Sequence, residues 1–201
     1  MDLVGQEGAD LHVDPASGLM LGVKQVASPN CDARPADMEA ELIVVHGISL
    51  PPGEFGGPWI DLLFTNQLPR DAHPYFEEIR DLKVSAHLAV TRDGVVTQYV
   101  RFTDRAWHAG KSNYCGREAC NDFSIGIELE GTDMEPYTPA QYRALAHAVA
   151  ALCKAYPRLS AQRVVGHSDI APGRKTDPGP AFDWPRAREL IAMACLEKHS
   201  T

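Results

Sequence analysis

No stretch of about 18 apolar residues occurs in this chain of 201 residues, which excludes a membrane-spanning helix of ordinary length. Runs of Lys or Arg are missing as well. With a formal charge of −8 and a pI near 5.4, the chain lacks the clustered cations that adhesion to nucleic acid or to an anionic membrane requires, so neither is an expected partner. The first residues, Met1 to Glu7, have neither the positive start nor the apolar stretch of a signal peptide, and a cytoplasmic location is expected. Cysteine is scarce and odd in number: five residues, in a chain too large to need a disulfide framework, are expected to be free thiols. Cys115 and Cys120 could form half of a metal site, but no second cysteine pair complements them.

What is present describes an ordinary folded domain. Hydrophobic residues make up 44% and charged residues 23%, enough apolar side chains to build a core without staples. One domain is expected over residues 40–196, preceded by an irregular segment (1–39) with at most one short strand and followed by a tail (197–201).

Glu41 to His46 is dense in β-branched residues and gives way to a Pro/Gly-rich stretch, which predicts a buried strand ending at His46 and then a long loop. Trp59, Leu62, Leu63 and Phe64 follow Pro58 at helical spacing, and a second short helix is expected from Pro74. Two apolar runs flank Arg92-Asp93-Gly94 between Ala86 and Val100, the pattern of a hairpin whose turn needs positive φ angles. Ser124 to Glu130 alternates strictly, with Ile125, Ile127 and Leu129 on one face and Gly126, Glu128 and Glu130 on the other.

Thr138-Pro139-Ala140-Gln141 is a capping-box pattern opening a helix that should end before Pro157. Arg163 to His167 reads as a short strand ending in a histidine and entering a Pro/Gly/Asp-rich loop over 168–182, and Asp183 can cap a last helix to about Leu196. Strands interleaved with helices give an α/β fold: a central mixed sheet flanked by helices, in a single domain.

Two histidines, His46 and His167, each close a strand-like run and enter a loop, as a metal site on the rim of a sheet requires. Asp177, between the prolines and glycines of the third loop, could complete a His/His/Asp set with one position open to water, the pattern of catalytic zinc. Spacing alone does not separate this from two hydrogen-bonded rim histidines and a solvated Lys175–Asp177 turn.

Longer motifs do. Val44-Val45-His46, Ile48 to Asp61, Val84-Ser85-Ala86-His87, Arg105 to Gly110, Cys120 to Gly131 and Arg174 to Pro180 occur in order, and from Glu41 to Trp184 the chain resembles the AmpD-type 1,6-anhydro-N-acetylmuramoyl-L-alanine amidases. These belong to a wider family with phage lysozyme-type amidases and peptidoglycan recognition proteins. The resemblance implies a zinc ion held by His46, His167 and Asp177, with Glu128 as catalytic acid and base and Lys175 as stabiliser of the oxyanion. It also implies a small muropeptide as substrate, cleaved between N-acetylmuramic acid and L-alanine during cell-wall recycling.

Gly47, Lys83 and Trp107 are the expected substrate contacts; Trp107 would stack on the sugar and Lys83 would meet peptide carboxylates. Relatives commonly have Asn at the position of Gly47 and Arg at those of Lys83 and Ala119. Glu130 is read as a hydrogen-bonded carboxylate, His87 as structural or supporting a ligand, His108 as cleft wall, and Pro51 to Gly57 as a lid. A monomer is expected. The alternatives are a broader peptidoglycan amidase and a recognition module without catalysis, the second of which the intact residue set disfavours.

Overall fold

The computed structural model describes residues 11–197; the tail beyond Glu197 and the opening residues read for a signal peptide lie outside it. Four short strands come first: β1 (His12–Asp14), β2 (Leu19–Leu21), β3 (Lys24–Gln25) and β4 (Cys31–Ala33). The central strand β5 (Leu42–Ile48) leads through a long loop to helices α1 (Trp59–Phe64) and α2 (Pro74–Ile79). Strands β6 (Leu88–Val90), β7 (Val96–Gln98), β8 (Asp104–Ala106), β9 (Asn113–Tyr114) and β10 (Arg117–Glu118) follow, then a 3-10 turn (Cys120–Phe123) running into β11 (Ser124–Glu130). The chain ends with α3 (Pro139–Ala155), β12 (Val164–Gly166), α4 (His167–Ile170) and α5 (Trp184–Glu197).

Six strands form one mixed sheet in the order β12-β5-β11-β6-β7-β3. The first four are mutually parallel, the β6–β7 hairpin is antiparallel, and β3 pairs parallel to β7. The hairpin closes as expected, with Gly94 at φ +87° and its N–H donating to the Thr91 carbonyl at 2.9 Å. The first segment is more regular than expected. β3 supplies an edge strand, β1 and β2 form a hairpin, and β4 pairs with β8; strands of two or three residues have no periodicity to read, and their pairing is decided by the surfaces they meet.

The sheet is covered on both faces. Ile43 and Val45 of β5, with Ile125, Ile127 and Leu129 of β11, pack with Leu145, Val149 and Leu152 of α3 and Ile191 of α5. On the opposite face Leu42 and Val44 meet Ala109, Cys120, Phe123 and Ile170, and beyond them α1 and α2 contribute Phe64 and Phe76. Helix α3 starts where the sequence places it. The Thr138 hydroxyl accepts the Gln141 backbone N–H at 3.1 Å and the Gln141 side-chain oxygen Oε1 accepts the Thr138 backbone N–H at 3.0 Å, a cap worth about 1 kcal/mol. The Gln141 side chain also donates to the Glu130 carbonyl at 2.8 Å, fixing the helix start against the end of β11.

All five cysteines are free thiols. Among the described residues no helix is long and apolar enough to cross a membrane.

Candidate active site

Parallel strands β12, β5 and β11 lie side by side, so their carboxyl ends open on one rim, where α/β sheets bind ligands. His46 lies two residues before the end of β5. In the β5–β11 register its partner is Glu128, which places both side chains on the face away from α3. His167 does not end in a loop as expected but opens the four-residue helix α4 directly after β12. The Asp169 carboxylate accepts the Gly166 N–H at 2.7 Å and turns the chain there.

Asp177 comes from the loop after α4, held at three points. Its own carbonyl accepts the Ser168 N–H at 3.0 Å, the Pro178 carbonyl accepts the Tyr137 hydroxyl at 3.0 Å, and Gly179 takes φ +81° against the backbone of Asp133. The fold therefore gathers His46, His167 and Asp177, as the sequence proposes. His46 Nδ1 is 2.9 Å from His167 Nδ1, and Asp177 Oδ2 lies 3.2 and 3.1 Å from the two nitrogens.

This near-equilateral triangle fits a tetrahedral zinc ion, whose donors at 2.0–2.1 Å would stand about 3.3 Å apart. The donor set is also chemically apt, since two imidazoles and a carboxylate suit a borderline cation. Burial pushes His46 down to about 4, against the pull of Asp177, so at neutral pH the contact is not a salt bridge between an imidazolium and a carboxylate.

A cleft of about 670 Å³ opens over the triangle, lined by the three donors, Glu128, Lys175, Gly47 and the apolar side chains of Leu63, Tyr75 and Ile79. Within it Glu128 Oε2 is buried with no hydrogen-bond partner among the described residues. Burial raises this carboxyl well above the usual range, Asp177 adds to the rise, and Lys175 opposes it. An enclosed, unpaired carboxylate with an elevated affinity for protons is suited to carrying a proton in either direction.

The other expected residues are distributed unevenly. Gly47 lines the cleft with its backbone only: a Cβ there would point away from the opening and collide with the Tyr137 hydroxyl. Lys83 is exposed, between the lining residues Leu82 and Val84. Trp107 is not among the lining residues; its indole N–H donates to Asp32 at 3.2 Å. His108 lines the cleft.

Glu130 ties two backbone N–H groups, those of Gly56 and Arg92, between β11, the hairpin and the loop after β5. That loop is further held by Phe55 under the Arg92 guanidinium, 4.6 Å from its ring centre. His87 is not one of the triangle's donors: its Nδ1 accepts the Gly126 N–H at 3.0 Å, its Nε2 faces the Asp104 carbonyl at 3.1 Å, and its ring packs edge-on against His108. Tyr137, which shapes both Gly47 and the Asp177 loop, was not singled out by sequence; only Gly47, a missing side chain beside a candidate ligand, hints that something fills the space.

Residues 36–180 match the model of a family described as N-acetylmuramoyl-L-alanine amidase. A protein of Escherichia coli (strain K12), 1,6-anhydro-N-acetylmuramyl-L-alanine amidase AmpD, is 60% identical over 175 residues, covering 87% of this chain and 95% of that one. Its counterpart in Salmonella typhimurium (strain SL1344) is 59% identical over 180 residues, covering 90% and 96%. A crystal structure of a selenomethionine derivative of AmpD superposes with a TM-score of 0.85 at 57% identity, covering 89% of this chain and 98% of that one.

Proposed function

Because the chain belongs to the N-acetylmuramoyl-L-alanine amidase family, we propose that it hydrolyses the amide between 1,6-anhydro-N-acetylmuramic acid and L-alanine in soluble muropeptides released during cell-wall recycling. The observation that carries the chemistry is the donor triangle beside the orphaned carboxylate oxygen of Glu128.

An amide is a poor electrophile and water a poor nucleophile. His46, His167 and Asp177 would hold a zinc ion, which when bound would supply Lewis-acid polarisation of the carbonyl and a lowered pKa for water. Glu128 takes the proton from the attacking water and returns it to the departing alanine nitrogen; the environment that raises its affinity for protons makes the return possible at neutral pH. Lys175 lines the cleft, and its cation is assigned to stabilising the oxyanion that the carbonyl oxygen becomes. The apolar wall of Leu63, Tyr75 and Ile79 excludes water from one side of the bound substrate.

Substrate contacts are assigned to the backbone of Gly47, to the exposed cation of Lys83 and to Trp107, whose indole N–H is held by Asp32. Residues 40–196 form the amidase domain. A monomeric, cytoplasmic enzyme completes the reading.

The test is metal analysis of the purified protein together with chromatography of an anhydro-muropeptide digest. The expected outcome is one zinc per chain and release of free stem peptide, and zinc-free protein that releases none would sink the proposal.

A further inference from the structure

The two triangle histidines each have a second ring nitrogen, and both of these end on one dipeptide. His46 Nε2 is 2.9 Å from His108 Nδ1, and His167 Nε2 is 3.2 Å from the Ala109 carbonyl oxygen. A carbonyl oxygen only accepts, so His167 carries a proton on Nε2, and in the neutral imidazole that leaves Nδ1 bare.

For His46 the direction follows from the far end of a chain of contacts. The Cys120 carbonyl also only accepts, so the Ser124 hydroxyl donates to it, at 2.5 Å. With its one proton committed there, Ser124 Oγ accepts from His108 Nε2–H at 3.1 Å. Among the described residues no carboxylate contacts the His108 ring, whose nitrogens meet His46 and Ser124, and in the neutral imidazole with its proton on Nε2 the Nδ1 presents a lone pair. That lone pair can accept only if His46 donates from Nε2. His46 Nδ1 is thereby left bare, facing His167 and Asp177.

We propose that the His108–Ala109 dipeptide is a positioning device that locks both histidines with the proton on Nε2 and their Nδ1 lone pairs converging, before any metal arrives. This rests on reading the triangle as the zinc site. His108 is then a positioning residue, with Ser124 as its anchor.

The dipeptide is itself built in. The Asn121 side-chain oxygen accepts both backbone N–H groups, of His108 at 3.1 Å and of Ala109 at 2.8 Å. The Ala109 carbonyl also receives Arg174 at 2.6 Å. Gly126 makes room for the His108 ring on the sheet, since a Cβ there would lie 2.5–2.7 Å from three ring atoms.

The lock matters because the alternative is attractive. Without an acceptor at His108, the His46 proton can move to Nδ1, where His167 Nδ1 and Asp177 Oδ2 both offer lone pairs. A proton would then occupy the centre of the triangle and compete with zinc. Holding the proton on the far nitrogen keeps three lone pairs aimed at one point, an arrangement that a cation relieves and that fixes ligand orientation.

Three variants test it: His108→Leu, which removes the acceptor; His108→Asn, which keeps an oxygen near the Nδ1 position; and Ser124→Ala. Imidazole nitrogen NMR of the metal-free protein should show His46 protonated on Nε2 in the wild type and on Nδ1 in His108→Leu, with His108→Asn resembling the wild type. Zinc affinity, from competition with a chromophoric chelator, should fall roughly 10- to 100-fold in His108→Leu, less in Ser124→Ala, and least in His108→Asn. If His108→Leu fails to fold, the wild-type tautomer and the other two variants carry the same test.

His46 protonated on Nδ1 in the wild type would overturn the proposal, as would unchanged affinity and tautomer in the variants that fold. His46→Ala separates the two readings. Full zinc retention there would remove the metal site itself, whereas loss of zinc there with unaffected His108 and Ser124 variants would remove only the positioning device.

Discussion

Glu128 and His46 are register partners on adjacent parallel strands, so the carboxylate and a metal donor share one face of the sheet and one rim. In the proposed reading this sets Glu128 beside the zinc site as a proton carrier without making it a ligand. Glu128→Gln keeps the shape and loses the proton chemistry. We expect unchanged zinc content and thermal stability with turnover reduced roughly 10²- to 10⁴-fold, read by metal analysis and by chromatography of the digest. A variant that lost its zinc would show that Glu128 is a ligand.

The donors should behave in the opposite way. His167→Ala opens the triangle and leaves Asp177 facing one imidazole. Both zinc and activity should be lost, and the melting temperature should become insensitive to added zinc while the wild type is stabilised by it. Equal zinc in His167→Ala and wild type would remove His167 from the site.

Glu130 sits on the same face as Glu128, two residues on, and its carboxylate is occupied by the N–H groups of Gly56 and Arg92. Glutamine can accept at only one end, so Glu130→Gln leaves the N–H of either the exposed Gly56 or the half-buried Arg92 without its carboxylate partner, at a cost of about 1 kcal/mol. Denaturant unfolding should report that loss, and hydrogen exchange should quicken at the loop over 51–57 while zinc content stays constant. Loop exchange indistinguishable from wild type would argue against the tether.

These contrasts show what the sequence could and could not convey. The strands bearing His46 and Glu128, the hairpin turn at Gly94 and the capped start of α3 were legible because each rests on a local rule: β-branched runs, an Asp-Gly pair, a Thr and Gln three residues apart. The candidate donors were nominated by two histidines closing strand-like runs and an aspartate in a constrained loop, but spacing alone did not separate them from ordinary rim residues; the longer motifs did, and the fold brings the three together. The pairing of β3 and β4 was not, since two or three residues carry no period. Nor were the contact of His108 with His46 and the placement of the Tyr137 hydroxyl, which join residues 62 and 90 positions apart and depend on how separate elements pack.

Buried histidines also make the fold sensitive to acid. Burial, with Arg34 close by, holds His87 well below its ordinary value, and His108 is lowered in the same way. Their folded affinity for protons is lower than the unfolded one, so the unfolded chain binds more protons below about pH 6.5 and stability falls as the pH drops through that point. Each such imidazole contributes a slope of at most about 1.4 kcal/mol per pH unit. His87→Asn keeps an acceptor for the Gly126 N–H and removes the titration, so urea unfolding of chelator-treated protein at pH 5 and pH 7 should show a shallower loss. An identical slope in the variant would exclude His87 as a contributor.

Gly47 and Tyr137 are best read as one choice. The hydroxyl that holds the Pro178 carbonyl, and with it the Asp177 loop, occupies the space that any Cβ at position 47 would take. Gly47→Asn alone should therefore destabilise the chain by about 1–3 kcal/mol through overpacking. Tyr137→Phe alone removes one hydrogen bond, at about 1 kcal/mol. In the double variant the clash is gone, because the next ring atom would lie 3.7 Å from the new Cβ, an ordinary contact. The two changes should therefore cost less together than their sum, with a coupling above about 1 kcal/mol in a double-mutant cycle followed by denaturant unfolding. Strict additivity would mean that Gly47 is set by the ligand side of the cleft and not by Tyr137.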